Sequence, residues 1–429
     1  MGKARGMSLI DVVVGVALLL ILFLALFGVL KASLAVSALA KTKAAATALA
    51  ENQMEYLRGL DYDTLGTEGG IPAGPVAQRS ASTVDGVAYA VSTFIEYADD
   101  PADGTGASDT NGITTDYKIA RVSVSWSFYG TPEEIALVST FAPPGIENTD
   151  GGGTLEIEVV DAAGAGIPDA SVHIVDASLT PAVDLTAYTD ASGRVELPGA
   201  LPSAQYQVYV AKAGYSSAQT YARDGENANP SPGYFTVAKD DTTTGTFAID
   251  RLASFSLYTY YAGTSTALAD AAYTLTGAKT IGTTAAGAPI YKNALDLSTD
   301  GAGADHESLE WDDYALAAPG YDIADACPAP PYALSPAESF SAALYLASST
   351  ANALLLTVAD AAGQPVAGAA VELAGSGFEE TATTSSCGNA YFGGLASATY
   401  VATASAAGYA SASSSVAVSG QTFSAVSFP

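Results

Sequence analysis

The sequence predicts an α+β unit, one long N-terminal helix with a small antiparallel sheet, followed by three all-β sandwiches in tandem. Three observations carry this. An uncharged apolar run, residues 12–30, passes into Ala-rich amphipathic sequence without a turn signal. Short segments of alternating apolar and polar residues follow, separated by Gly- and Pro-containing turns. Beyond residue 153 one pattern recurs with a period of about 90–100 residues.

Composition bounds the reading. The chain has 429 residues, 16 Lys+Arg and 45 Asp+Glu, for a net charge of -29. A hydrophobic share of 49% is too high for a disordered acidic chain and supports several cores. The charge is uneven: the acids of residues 1–58 are Asp11, Glu51 and Glu55, and no Lys or Arg follows Lys292. So acidic a body repels phosphates, so nucleic acid is excluded as its partner. Two His and two Cys, with no G-x-S-x-G stretch, leave no catalytic constellation, and no enzyme activity is expected.

The first element is the helix. Residues 12–30 span about 28 Å at 1.5 Å per residue, enough to cross a bilayer. A secretory signal would have a shorter apolar core with its cleavage site behind it. Lys3 and Arg5 precede the run and Lys31, Lys41 and Lys43 follow, so counting bases gives no orientation. Leu39, Ala46, Leu49, Tyr56 and Leu60 define one amphipathic face. No Pro interrupts residues 1–71. One helix is expected from about residue 8 to residue 60, with Gly28 as a soft point.

The stretch RGMSLID, a basic leader ending in Gly6, then Met7, then an acid at Asp11 before the apolar helix, resembles the type IV pilin superfamily. ALAENQMEYLRGLDYDTLGT is similar to the helix end of minor pilins. The resemblance implies cleavage by prepilin peptidase between Gly6 and Met7 and methylation of the new N-terminus at Met7. It implies that Asp11, where the family usually has Glu, pairs with the N-terminal ammonium of a neighbouring subunit during filament assembly. Its implied partners are prepilin peptidase, other pilin subunits and, before assembly, the inner (cytoplasmic) membrane, with an extracellular filament or cell surface as destination. A plain signal anchor with an incidental Asp11 is the bland alternative.

Residues 61–145 follow as a pilin-type β head. Residues 66–75 read as a turn, and 87–97, 117–129 and 135–141 as strands. Between the first two lies an acidic, Gly-rich loop carrying Asp99, Asp100, Asp103 and Asp109, with Asp116 at its end. Clustered carboxylates suit Ca²⁺, yet the spacing does not match an EF-hand loop. A solvated acidic loop explains the same residues.

Residues 146–153 form a linker, and three sandwiches follow at 154–250, 251–350 and 351–429. Copy one opens LEIEVVD and continues GAGIPDASVHI; copy three opens LLLTVAD and continues GQPVAGAAVEL. A turn follows in each: TDASG, TDGAG and TSSCG, at 189–193, 299–303 and 384–388. Tyr206 and Tyr400 each lie nine positions before a Gly-Tyr, at Tyr215 and Tyr409. Copy two is degenerate. These residues resemble the carboxypeptidase regulatory-like domain, a transthyretin-like, Ig-type sandwich. That domain is non-catalytic, and neither His173 nor His306 opens the H-x-x-E pair of the catalytic companion. The opening strands carry no Lys, so no Lys–Asn isopeptide bond is expected.

Cys327 and Cys387 lie in turn-like sequence of an exported chain, which favours a disulfide between the last two copies. His173 reads as structural and His306 as part of a surface acidic turn. Trp311 and the Tyr-rich run at 258–261 suit either a sugar-binding platform or an ordinary sheet surface. The expectation is a minor pilin-like subunit of a type IV pilus whose modules adhere to a surface carbohydrate or protein ligand, or act as spacers. Cofactors are not expected, apart from the calcium reading of the acidic loop. Two alternatives are a pseudopilin of a type II-like secretion system and a membrane-anchored carbohydrate-binding protein.

Overall fold

The structure, a computed structural model, describes residues 9–100, 115–143 and 152–429. It contains one N-terminal helix followed by a series of antiparallel and mixed sheets.

Helix α1 (Leu9–Arg58) is 50 residues long, about 75 Å at 1.5 Å per residue. It continues through Gly28 without a break. Its two halves have different surroundings. In the first, Val13, Leu19, Phe23, Phe27 and Leu34 are 56–70% exposed. In the second, Ala46, Ala50, Met54 and Leu57 are buried under a sheet. This stripe differs from the expected one, since Tyr56 is 49% exposed and Leu39 only half-buried. The reason is steric: the two alanines let the sheet approach the helix axis closely, and Leu49 and Leu60 close its margins.

That sheet has the order β1 (Arg79–Val84), β2 (Val87–Ala98), β3 (Tyr117–Phe128), β4 (Thr131–Phe141), all neighbours antiparallel. Strand β1, RSASTV, escapes sequence reading because its small polar residues carry no alternation. Tyr89, Val91 and Ile95 of β2 and Ala120, Val122, Val124 and Trp126 of β3 face the helix. Phe94 and Glu96 therefore point from β2 to the opposite side.

Each sandwich repeats one arrangement. Its first strand, β5 (Gly153–Val160) in copy one, runs parallel to the last strand of the copy and antiparallel to the strand that follows the turn. The same holds for Ala253–Tyr261 in copy two and Ala353–Ala359 in copy three. In the facing sheet of copy one, β6 (Ser171–Asp176) lies between β7 (Val183–Tyr188) and β9 (Ser203–Ala211), while β8 (Arg194–Ala200) flanks β5. Copy two matches this topology and adds Tyr321–Cys327 beside its last strand. Each copy closes around its own apolar cluster.

The recurring turn has a physical reason. Thr189, Thr299 and Thr384 are buried, and their hydroxyls accept the backbone N–H of Ala170, Ala271 and Ala369 at 2.8, 3.0 and 2.9 Å. The hydroxyls of Thr189 and Thr384 also donate to the carbonyls of Ile167 and Val366. Gly193, Gly303 and Gly388 have φ of +85, +74 and +77° and lie against first-strand carbonyls, where a Cβ would collide. Tyr206, Tyr400 and, in copy two, Tyr314 are buried with their hydroxyls donating to carbonyls four or five residues upstream, as in a tyrosine corner.

Candidate functional site

The sequence-derived candidates are only partly brought together. Gly6, Met7, Asp103 and Asp109 lie outside the described residues. Asp11 falls in the first turn of α1. Asp99 and Asp100 follow the end of β2, and the Asp100 N–H donates to Asp116 Oδ2. Among the described residues no group of three or more His, Cys, Asp or Glu is placed to hold a metal ion.

Beneath the head sheet, Lys118 is buried at 1% exposure. Its ammonium donates to the carbonyls of Tyr62 at 2.6 Å and Leu65 at 2.9 Å and lies 4.5 Å from the Tyr62 ring centroid. It thereby ties the turn after α1 to β3. Lys118 shares strand parity with Ala120 and Val122, so the alternation already marks it as inward-facing.

Three joints connect the units. At the first, the Asp184 N–H donates to the Gly69 carbonyl at 2.7 Å, and Gln78 Nε2 donates to the Asp184 carbonyl at 2.6 Å. Ile71, from the expected turn, enters the apolar cluster of sandwich one, with Phe94 packed beside it. Next to these contacts is a cleft of about 250 Å³, lined by Glu96, Asp99, Asp190, Arg194 and Glu196.

At the second joint, Asn229–Pro230 of sandwich one pairs with Thr280–Thr283 of sandwich two, so one small sheet crosses the boundary. Lys292 Nζ donates to the Ser217 carbonyl at 2.6 Å and lies 2.7 Å from Glu310 Oε2. Lys279 Nζ lies 2.9 Å from Glu310 Oε1 and 3.1 Å from the centroid of the Trp311 ring. Burial pushes the Glu310 carboxyl up, but hydrogen bonds and charge from Lys292 and Lys279 together hold it below the usual carboxylate range. Burial pushes the Lys279 ammonium down, against the hydrogen bond to Glu310.

At the third joint, Cys327 and Cys387 form a disulfide with Cα atoms 5.6 Å apart. Asn389 Nδ2 donates to Asp325 Oδ1 and to the Ala326 carbonyl, at 2.8 and 2.6 Å. Tyr391 and Thr350 hydroxyls donate to Asp322 Oδ2 at 2.9 and 2.6 Å. Leu355, Tyr391 and Phe423 of sandwich three pack onto the cluster of sandwich two. The TSSCG variant of the turn thus acquires a second use: Ser385 Oγ donates to Asp325 and Cys387 carries the cross-link.

The remaining candidates are dispersed. His173 Nε2 lies 2.8 Å from Asp184 Oδ1 on the surface of sandwich one. His306 lies in strand Ala304–Leu309, not in a turn, with Nδ1 2.9 Å from Ser256 Oγ; six residues of regular pairing to the first strand override the local acidity. Tyr258 and Tyr260 are half-buried on one sheet surface, Tyr260 stacked on Tyr345 at 5.3 Å. Sequence reasoning missed Glu96, Lys118, Lys279, Lys292 and Glu310. For Glu310 and its lysines no local signal exists, because the three come from different strands or loops.

Residues 154–250 and 353–429 match the carboxypeptidase regulatory-like domain. No curated protein matches the chain. Solved structures that resemble it include the Bacillus anthracis TIE protein, at 14% identity over 83% of this chain and 74% of that one, TM-score 0.20. The Streptococcal ancillary pilin is 12% identical over 65% of this chain and 98% of its own, TM-score 0.17. BcpA, the major pilin subunit of Bacillus cereus, is 10% identical over 65% and 99%, TM-score 0.17. At these scores none of the three informs the arrangement or role of this chain.

Proposed function

We propose that this chain is a minor pilin-like subunit of a type IV pilus that holds out three β-sandwiches as an adhesive or spacing stalk. The observation that carries it is the divided helix. One unbroken α1 leaves its first half as an exposed apolar rod and buries its second half under a sheet. Apolar surface on that scale needs lipid or neighbouring helices around it. The RGMSLID stretch adds the cleavage motif, and Asp11 then sets the register between neighbouring helices. The second observation in support is the set of joints, each cross-linked, paired or packed, which suits holding modules at a distance. No step of chemistry is assigned to the chain.

The mature N-terminus tests this directly. Mass spectrometry of the native protein should show loss of residues 1–6 and one added methyl group on Met7; an intact Met1 leader would overturn the reading in favour of a plain membrane anchor. Bulky modules on every subunit would crowd a shaft, so the chain is assigned to a tip or occasional position. Immunogold labelling along whole filaments would contradict that assignment.

A further inference from the structure

The first joint gathers carboxylates from both sides of one cleft. Glu96 projects from β2 on the same face as Phe94, away from α1 and toward sandwich one. Asp99 lines the same cleft from the end of β2, and Glu196 lines it from β8. Glu196 is paired in register with Glu156 of β5, so two like charges sit directly opposite. Asp190 stands in the turn before β8, its Oδ1 accepting the N–H groups of Ser192 and Arg194. The bases near the cleft include Arg194, Arg121 and Lys118, whose ammonium lies 5.1 Å from the centroid of the Tyr97 ring in its wall. Arg194 is engaged by Glu156 at 3.0 Å and Glu158 at 3.7 Å. Arg121 stands on β3, diagonal to Glu96 and opposite Phe94. Tyr97 and Tyr188 complete the wall.

We infer that this interface is a proton-operated joint: protonation of Glu96 seats the head against sandwich one, and its ionisation against Glu196 unseats that side of the contact. Burial, then the charge of Glu196, pushes the Glu96 carboxyl up to about 7, with Arg121 opposing. Burial, then Glu156 and Asp99, raises Glu196 as well, with Arg194 opposing. A carboxyl that is harder to ionise when seated than when free favours the seated form in acid. Seating is strongest below the free value of about 4.5, weakens as pH rises from there to about 7, and is constant above. The upper limit of the Glu96 effect across that window is about two and a half orders of magnitude in the seating equilibrium. Of Asp184, Gly69 and Gln78 meet only the backbone N–H and carbonyl, and Ile71 packs on apolar groups, while the Asp184 carboxylate lies 2.8 Å from His173 Nε2 within sandwich one. The contacts of Gly69, Gln78 and Ile71 keep the units attached while the Glu96 side opens, so the response is a change of angle and stiffness. A surface stalk exposed to external pH would be stiffer in acid.

Hydrogen–deuterium exchange of the full chain in detergent micelles tests this at pH 5, 6, 7 and 8, with rates corrected for intrinsic chemistry. Protection of β8 should fall at least tenfold from pH 5 to pH 8, while Ala370–Gly375 in sandwich three stays constant. In E96Q the β8 protection should be high and flat. Flat wild-type protection, or an E96Q protein that keeps the wild-type response, would overturn the inference. Should E96Q lose protection in the control strand, E196Q decides: removal of the opposing charge must move the midpoint to lower pH, and an unmoved midpoint overturns the inference. None of these outcomes depends on whether α1 enters a filament.

Discussion

The first and second joints each place a glutamate between two units, and their surroundings are opposite. Glu96 faces Glu196 across a cleft that Asp99 lines from the end of the same strand, with Arg121 of the neighbouring strand opposing. Glu310 lies between Lys279 and Lys292, with Asn293 Nδ2 donating at 3.3 Å. Partial burial in the company of like charge weakens an interface as the group ionises, whereas the same burial between two ammoniums strengthens it. The lesson is that a strongly acidic chain does not treat its carboxylates alike. Two of its few lysines are invested where the stalk must not bend.

The largest expected effect comes from breaking the second joint. Glu310→Ala strands two half-buried ammoniums and should cost about 3 kcal/mol, the low end for a buried pair because the lysines retain some water. Denaturant titration followed by Trp311 fluorescence would check it, and a loss under about 1 kcal/mol would contradict the ion-pair account.

The third joint sharpens the comparison, since it uses a covalent bond between residues 60 apart in sequence. Replacing Cys327 and Cys387 by Ser should cost about 2–4 kcal/mol. Small-angle scattering should then show wider angular spread between the last two sandwiches, as reductant should in the native chain. Unchanged scattering would mean that Asp322, Asp325 and Asn389 suffice on their own.

A smaller effect is expected inside a sandwich. Thr384→Val removes one bond accepted from Ala369 N–H and one donated to Val366, for about 1–2 kcal/mol. Thermal unfolding should register it without any change at the first joint.

The subtlest test is a crossing of pH responses. Glu310 is held below the ordinary range, so its contribution is present above about 4.5 and is lost as pH falls through its lowered value. Glu96 is raised, so its joint gains stability over the window where pH falls from about 7 to 4.5. Exchange protection measured from pH 8 to pH 3 should therefore rise at β8 before it falls at Thr280–Thr283. Parallel trends at the two joints would refute this opposition.

Much of this was written locally. The apolar run and its continuation fixed α1, because one uncharged stretch plus an uninterrupted Ala-rich segment needs no partner to be read. The repeat was legible because each turn needs a Thr to bridge two loops and a Gly where a Cβ would strike the first strand. Strand parity even marks Lys118 as buried and Glu96 as facing away from the helix.

What the tertiary structure alone decided lies between units. The buried stripe of α1 was settled by how closely a sheet can approach two alanines, which overrode the bulkier face that includes Tyr56. His306 took its place from strand pairing, against the acidity of its neighbours. Glu96 and Glu196 are 100 positions apart, and Lys279, Lys292 and Glu310 come from separate segments of one unit. A sequence states each charge but not which charges it will meet. That is determined by packing, since the energy of a carboxylate depends on the burial and neighbours that only the folded chain supplies.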